Sequence, residues 1–74
     1  MSEHSKVIEE YLLTLYKIDR SGEKAKAVTL ANRLGTSPPT VHATISRMQR
    51  DGLVEIKKSK VVKLTKEGQK VSED

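Results

Sequence analysis

The sequence has no cysteine, and its only aromatic residues are two tyrosines. The absence of cysteine excludes disulfide bonds, thiolate metal sites, zinc fingers and cysteine nucleophiles. No apolar run approaches the roughly 18 to 20 residues that a membrane-spanning helix needs, and the start of the chain lacks the apolar stretch of a secretory signal. We therefore expect a cytoplasmic domain without membrane contact, stabilised by the packing of aliphatic side chains.

The chain is 74 residues long, which gives room for a single small domain over residues 1–74 and excludes a two-domain enzyme. Its charge is uneven: the net charge is −1 over residues 1–22, +7 over residues 23–66 and −2 over residues 67–74. A basic centre favours a polyanionic partner such as nucleic acid. Charge alone is explained equally well by an ordinary solvated basic face, so the order of the predicted elements has to decide.

Two helices are predicted in the first half of the chain. Apolar residues recur at helical spacing over residues 7–18, which predicts a first helix with Ser5 as its N-terminal cap. A polar loop is expected over residues 22–26. A second, shorter helix is predicted over residues 27–34, because Gly35 suits the left-handed position that follows a helix end.

A third helix is predicted over residues 38–50, with Ser37 as its cap and Gly52 as its end. Prolines are tolerated in a first turn because those N–H groups have no partner within the helix. Helical spacing places Val41, Ile45 and Met48 on its buried side. Its opposite side then holds Pro39, Thr40, His42, Ala43, Ser46, Arg47 and Arg50.

The period changes after the third helix. Residues 53–56 and 61–64 are β-prone runs, and the basic segment Lys57-Lys58-Ser59-Lys60 lies between them. Two such strands form a hairpin that has to pack on the helices to be stable. Thr65 is predicted to cap the start of a fourth helix, which is expected to end too soon to bury a face of its own.

Helix, short helix, tight turn, helix and basic hairpin follow one another in the order of a winged helix-turn-helix. This is a mainly helical α+β fold, with a two-stranded β wing, in which the helix after the turn enters the major groove of duplex DNA. Each single landmark is weak, whereas their joint pattern is fairly specific. The sequence therefore predicts a DNA-binding domain with double-stranded DNA as its partner.

The same residues carry a resemblance to a known family over most of the chain. The segments concerned are Glu10-Tyr11-Leu12, Thr14-Leu15-Tyr16, Ala31-Asn32-Arg33-Leu34, Ser37-Pro38-Pro39-Thr40-Val41, Arg47-Met48-Gln49-Arg50-Asp51-Gly52-Leu53-Val54 and Leu64-Thr65-Lys66-Glu67-Gly68. In these segments the chain resembles the metal-dependent transcriptional repressors of the diphtheria toxin repressor type. The resemblance implies the N-terminal DNA-binding domain of a repressor that, with Fe²⁺ or Mn²⁺ bound, dimerises and silences genes of metal uptake.

In that family the helix after the wing continues into a domain for dimerisation and metal binding. Here the chain ends at Asp74, so this second domain is expected to be missing from it. We favour a domain fragment over a stand-alone short regulator. The 74-residue chain is accordingly expected to bind no metal by itself, and to be a monomer that binds one half-site weakly; the homodimer belongs to the full-length family protein.

The resemblance also places the DNA-contacting positions on the third helix. They are Ser37, Pro39, Thr40, His42, Ala43, Arg47 and Arg50. Pro39 and Thr40 suit thymine methyl groups, small Ala43 permits close approach, and both arginines are expected to contact phosphate. Exposed arginines of an ordinary helix surface are the alternative. His42 and Ala43 depart from the polar residues common in the family, so direct base reading should be sparse.

Basic residues outside the third helix form the rest of the predicted DNA site. Lys60 matches a basic wing position of the family, and Lys57 and Lys58 lie beside it in the wing tip. A basic edge also discourages strand pairing between molecules, which is the alternative explanation. Lys26 and, with less support, Lys24 precede the second helix and are placed to reach phosphates.

Glu10 is the single candidate metal ligand. It corresponds to the first-helix position that supplies a ligand in the family, where iron-type members have methionine and manganese-type members a carboxylate. A hard carboxylate suits Mn²⁺ or Fe²⁺. The site is incomplete within this chain, and an ordinary helix carboxylate explains Glu10 as well.

Catalysis has no support, because the sequence contains no cysteine, no glycine-rich phosphate loop and no HExxH motif. We therefore do not expect an enzyme. Two alternatives to a metal-dependent repressor remain: a winged-helix module for protein interaction, and a winged-helix regulator without a metal response.

Overall fold

The computed structural model describes residues 6–73, and four helices and one hairpin follow in the predicted order. The elements are α1 Lys6–Ser21, α2 Ala27–Leu34, α3 Pro38–Arg50, β1 Val54–Ile56, β2 Val62–Leu64 and α4 Lys66–Glu73. The winged helix-turn-helix is thus confirmed. The predicted cap Ser5 lies outside the described residues. Within residues 6–73, no helix is long and apolar enough to cross a membrane.

One apolar core joins the helices and the hairpin. α1 contributes its largest share and runs three residues further than its periodicity predicts, to Ser21, before Gly22 turns the chain at a φ of 83°. The buried residues of this core are Ile8, Tyr11, Leu12, Leu15, Ile18, Ala25, Leu30, Ala31, Val41, Ile45, Met48, Leu53, Val54 and Val62. The core is therefore aliphatic apart from one tyrosine, as the composition predicts.

The turn between α2 and α3 is built as predicted. Gly35 has a φ of 67°, the left-handed conformation that glycine adopts without steric cost. The Ser37 side chain then accepts a hydrogen bond from the Thr40 N–H and caps α3, and both prolines lie in the first turn of α3. α3 is thereby held directly behind α2, with which it packs.

β1 and β2 form an antiparallel hairpin, which we call the wing, with Val54 opposite Leu64 and Ile56 opposite Val62. The loop before α2 extends it, because the Val62 N–H donates to the Ala25 carbonyl at 2.7 Å. Ala25 is buried, although its neighbours in this polar segment are exposed. The loop prediction was right for the backbone but missed this contact, which joins residues 37 positions apart in the sequence.

α4 corrects one expectation. Thr65 caps α4 as predicted, since its Oγ1 accepts a hydrogen bond from the Gly68 N–H at 3.1 Å. The expectation that this helix buries no face of its own is wrong. α4 packs against α1, and Gly68 is buried so tightly that an added Cβ would lie 2.1 Å from the Leu53 carbonyl oxygen.

Candidate nucleic-acid interface

The exposed side of α3 carries the predicted site. Successive residues of a helix are rotated by about 100°, so Pro39, Ala43 and Arg50 share the middle of this side. Thr40 and Arg47 lie along one border and His42 along the other. All seven predicted residues, Ser37, Pro39, Thr40, His42, Ala43, Arg47 and Arg50, are exposed. Val41, Ile45 and Met48 are buried behind them, as the spacing predicts.

The first turn of α3 holds two of these residues in a hydrogen-bonded pair. The hydroxyls of Ser37 and Thr40 are 2.9 Å apart, and the Thr40 N–H points to the Ser37 oxygen at 3.4 Å. The capping role of Ser37 is therefore confirmed. Because both hydroxyls are oriented by the helix start, this end of α3 presents a fixed pattern of polar groups and methyl groups.

Arg47 and Arg50 lie in the last turns of α3, and neither has an ion-pair partner within residues 6–70. Arg33 on α2 differs, because its guanidinium contacts the Glu23 carboxylate at 2.6 Å. α3 itself contains no acidic residue. The two arginines of α3 are therefore in no ion pair within residues 6–70, although Asp51 follows Arg50 directly, whereas the charge of Arg33 is partly neutralised by Glu23.

Within the described residues, two of the four lysines of the wing are paired with carboxylates, and two are not. Lys57 pairs with Glu55, and the Lys63 ammonium lies 3.5 Å from the Asp19 carboxylate at the end of α1. Lys58 and Lys60 are exposed at the tip and have no acidic partner in the described part of the chain. The predicted emphasis on Lys60 thus falls on an unpaired cation, and Lys58 is its partner at the tip.

Lys60 also has an unusual backbone. Its φ is 67°, the only positive φ outside glycine among the described residues. The Lys60 N–H donates to the Lys57 carbonyl at 2.8 Å, and the Lys57 N–H donates to the Val61 carbonyl at 2.9 Å. These bonds close a three-residue tip whose last position is left-handed, where glycine is usual. This conformation was not predictable from the sequence, because the tip contains no glycine or asparagine.

Lys24 and Lys26 are exposed in the loop before α2. Lys26 occupies the N-cap position of α2 but forms no capping bond with its side chain. The first N–H groups of α2 are consequently left without a side-chain cap from this residue, beside two lysines. α2 packs against α3. The two lysines therefore precede the helix on which α3 is packed.

Glu10 lies on the exposed side of α1. Among the residues that the structure describes, no three histidine or carboxylate side chains come together as a metal site. Within that part of the chain, Glu10 therefore belongs to no such group, and its role as a ligand stays a prediction.

The fold is shared with solved regulators. Staphylococcus aureus MepR, a transcription regulator of a multidrug efflux pump, superposes with a TM-score of 0.84 over 93% of this chain and 51% of MepR, at 23% identity. The manganese regulator SloR gives a TM-score of 0.78 at 28% identity, over 88% of this chain and 30% of SloR. At 23% identity, the likeness to MepR supports the winged-helix fold only.

Sequence comparison gives nearer relatives. The iron-dependent repressor IdeR of Mycobacterium tuberculosis is 38% identical over 68 residues, which are 92% of this chain and 30% of IdeR. The diphtheria toxin repressor of Corynebacterium glutamicum is 38% identical over 64 residues, 86% of this chain and 28% of the repressor. These relatives are repressors by name, and the chain spans less than a third of their length.

A family model described as the iron dependent repressor, N-terminal DNA binding domain, matches residues 3–62. The match includes α1 to α3, β1 and the wing tip. The resemblance drawn from the sequence is thereby confirmed, and the chain belongs to the iron-dependent repressor family.

Proposed function

We propose that this chain binds duplex DNA by placing the exposed side of α3 in the major groove, as the DNA-binding part of an iron- or manganese-responsive transcriptional repressor. The observation that carries the proposal is the α3 face itself. It combines small and apolar groups in its middle with two unpaired arginines at its end, and α3 lacks acidic residues. An α-helix fits the width of the major groove, and phosphates repel carboxylates.

Each part of the site has a role in this proposal. Arg47 and Arg50 neutralise phosphates at one wall of the groove, and the Ser37 hydroxyl contacts a phosphate at the start of α3. Pro39, Thr40 and Ala43 approach the base edges, where their apolar groups suit thymine methyls. His42 lies on the other border of the face and is placed to donate to a base or phosphate.

The wing and the start of α2 contact the DNA backbone on either side of α3. Lys60, together with Lys58, follows the neighbouring phosphates or minor groove. Lys26 and Lys24 reach a phosphate beside the uncapped end of α2, where N–H groups favour an anion. These contacts add affinity and salt dependence, and they add little sequence preference.

The metal response belongs to the longer protein in this proposal. Family membership and the names of IdeR and SloR support Fe²⁺ or Mn²⁺ as effector. Glu10 belongs to no group of three metal-ligating side chains among the described residues, and DNA binding by this chain is proposed to need no metal. The same holds for dimerisation: we propose a homodimer for the full-length repressor and a monomer for this chain, and a tight dimer in sedimentation would contradict the latter.

The test is a fluorescence anisotropy titration of a labelled duplex between about 50 and 200 mM salt, with and without Mn²⁺. About six phosphate contacts predict a slope near −5 in a plot of log affinity against log salt concentration. The slope is expected to be unchanged by Mn²⁺. A higher affinity for the duplex in the presence of Mn²⁺ would mean that the chain assembles its own metal site.

Matched double variants sharpen this test. The variant Arg47→Ala/Arg50→Ala is expected to bind all duplexes at least about tenfold more weakly and to lower the slope by about 2. Its control, Lys17→Ala/Lys70→Ala, removes the same charge from α1 and α4 and is expected to retain the slope. If both variants lost the same affinity and the same slope, DNA binding would depend on the net charge of the chain and not on the α3 face.

Two other functions are distinguished by titrations of this chain and of the full-length protein. No binding at about 50 mM salt would overturn the DNA proposal and favour a protein-interaction module. Binding by the full-length protein that does not respond to metal would favour a winged-helix regulator without a metal response. The relatives named above are repressors, and we propose no catalytic activity.

A further inference from the structure

Hydrogen bonds join the turn that follows α3 to Thr65, the residue that precedes α4. The Thr65 hydroxyl donates to the Gly52 carbonyl at 2.6 Å, and the Thr65 N–H donates to the Leu53 carbonyl at 3.0 Å. The same hydroxyl accepts the Gly68 N–H at 3.1 Å. One side chain therefore binds the turn after α3 and the first turn of α4 at once.

The turn after α3 is tied back to α3 in the same way. The N–H groups of Asp51, Gly52 and Leu53 donate to the carbonyls of Arg47, Gln49 and Met48, at 3.0, 3.1 and 2.9 Å respectively. These carbonyls belong to the helical turn that presents Arg47. A continuous path of hydrogen bonds thus runs from that turn, through residues 51–53, to Thr65 and α4.

Gly68 packs directly against Leu53, in the turn that follows α3. An added Cβ would lie 2.1 Å from the Leu53 oxygen and 3.0 Å from Leu64 Cδ2. The first distance is far below any real contact with backbone, so a side chain here would force α4 away from the turn. Close approach, and not a positive φ, is what requires glycine at this position.

We infer that Thr65 and Gly68 are positioning residues for DNA binding: they fix the last turn of α3, and with it Arg47 and Arg50, against α4. This inference rests on the proposed DNA-binding function. A displacement of α4 relative to the core is transmitted through Thr65 and residues 51–53 to the end of α3 that carries the arginines. The Ser37 end has its own cap and is anchored separately.

The test compares the affinity for a labelled duplex and its salt slope in the wild-type chain and in Thr65→Val, which keeps the shape but loses both hydroxyl bonds. We expect binding about five- to tenfold weaker and a slope lower by about 1, as for one misplaced phosphate contact. Thr65→Ser retains a hydroxyl and should restore both values. Gly68→Ala should weaken binding further, and circular dichroism checks that each variant is folded.

Ile18→Val is the matched control for stability. Ile18 is buried in α1 and takes part in none of the hydrogen bonds of Thr65, so losing one methylene there should lower the melting temperature while leaving these bonds in place. Its affinity and slope, measured well below its melting temperature, should equal those of the wild type. If Ile18→Val weakens binding as Thr65→Val does, affinity follows global stability and the positioning role is overturned.

The remaining outcomes separate the two proposals. If the wild type binds DNA and Thr65→Val binds equally well with the same slope, the inference fails and the DNA-binding function stands. If the wild type does not bind, the proposed function fails and the inference fails with it.

Discussion

α3 and the wing are both basic surfaces, but they hold their charges in different ways. The arginines of α3 stand on a helix whose other side is fully buried, with Val41 and Met48 both at 0% exposure. The wing has strands of only three residues, and its apolar cover ends at Ile56, which is 41% exposed. The same rigid support holds Pro39, Thr40 and Ala43, which are proposed to meet base edges, whereas a short hairpin suits contacts with the backbone, where position matters less.

The two surfaces also differ in how much of their charge is available. Arg47 and Arg50 have no ion-pair partner within residues 6–70, while two of the four wing lysines are engaged by carboxylates. Only the tip of the wing therefore carries free charge. We therefore expect the base-facing residues of α3 to determine which DNA is bound, and the unpaired cations of α3 and of the wing tip to determine how tightly.

The largest effect is expected from removing the support of α3. Met48→Ala deletes a side chain with 0% exposure and leaves a cavity behind α3. We expect the free energy of unfolding to fall by about 2–5 kcal/mol. Urea denaturation followed by circular dichroism measures this change. A loss below about 1 kcal/mol would show that α3 is not anchored as described.

A smaller effect, of opposite sign, is expected at the wing tip. Lys60→Gly removes the strain of a left-handed non-glycine residue and should raise the free energy of unfolding by about 1 kcal/mol. Lys60→Ala retains that strain and should leave stability nearly unchanged. Both variants lose the same charge, so both should lower the salt slope of DNA binding by about 1.

The contrast between these two variants tests the tip directly. Thermal unfolding of both gives the stability difference, and duplex titrations give the slopes. If Lys60→Gly proved no more stable than Lys60→Ala, the left-handed conformation would not describe the tip in solution.

The smallest effect distinguishes paired from unpaired lysines. Lys58→Ala should lower the salt slope by about 1, the amount expected for one phosphate contact. Lys57→Ala should lower the slope less, because Lys57 is already paired with Glu55. The stability cost of breaking the exposed Lys57–Glu55 pair is expected to be under about 1 kcal/mol. Equal slopes for the two variants would mean that the pair does not persist on DNA.

Local signals in the sequence predicted most of the fold. Helical spacing gave the buried side of α3, Ser37 gave its cap, and Gly35 and Gly52 gave the left-handed ends of α2 and α3. Each of these features is decided within a few residues, so the sequence alone suffices to predict it. The face of α3 followed from the same periodicity.

Contacts between distant segments were not predictable in this way. The bond between Ala25 and Val62, and the close approach of Gly68 to Leu53, depend on how separate elements dock. The pairing of Lys63 with Asp19 has the same origin. Because the partner of Lys63 is distant in the sequence, the sequence predicted a basic wing without separating its free and paired lysines.

The most direct test of the account is a nuclear magnetic resonance titration of the ¹⁵N-labelled chain with a short duplex. If α3 is the DNA-binding element, amide shifts on DNA binding concentrate in residues 36–50, with smaller shifts at residues 58–60 and at the start of α2. The exposed side of α1, with Val7 and Leu13, should remain unchanged. Shifts confined to that side of α1, with α3 unaffected, would contradict the central claim that α3 is the DNA-binding element.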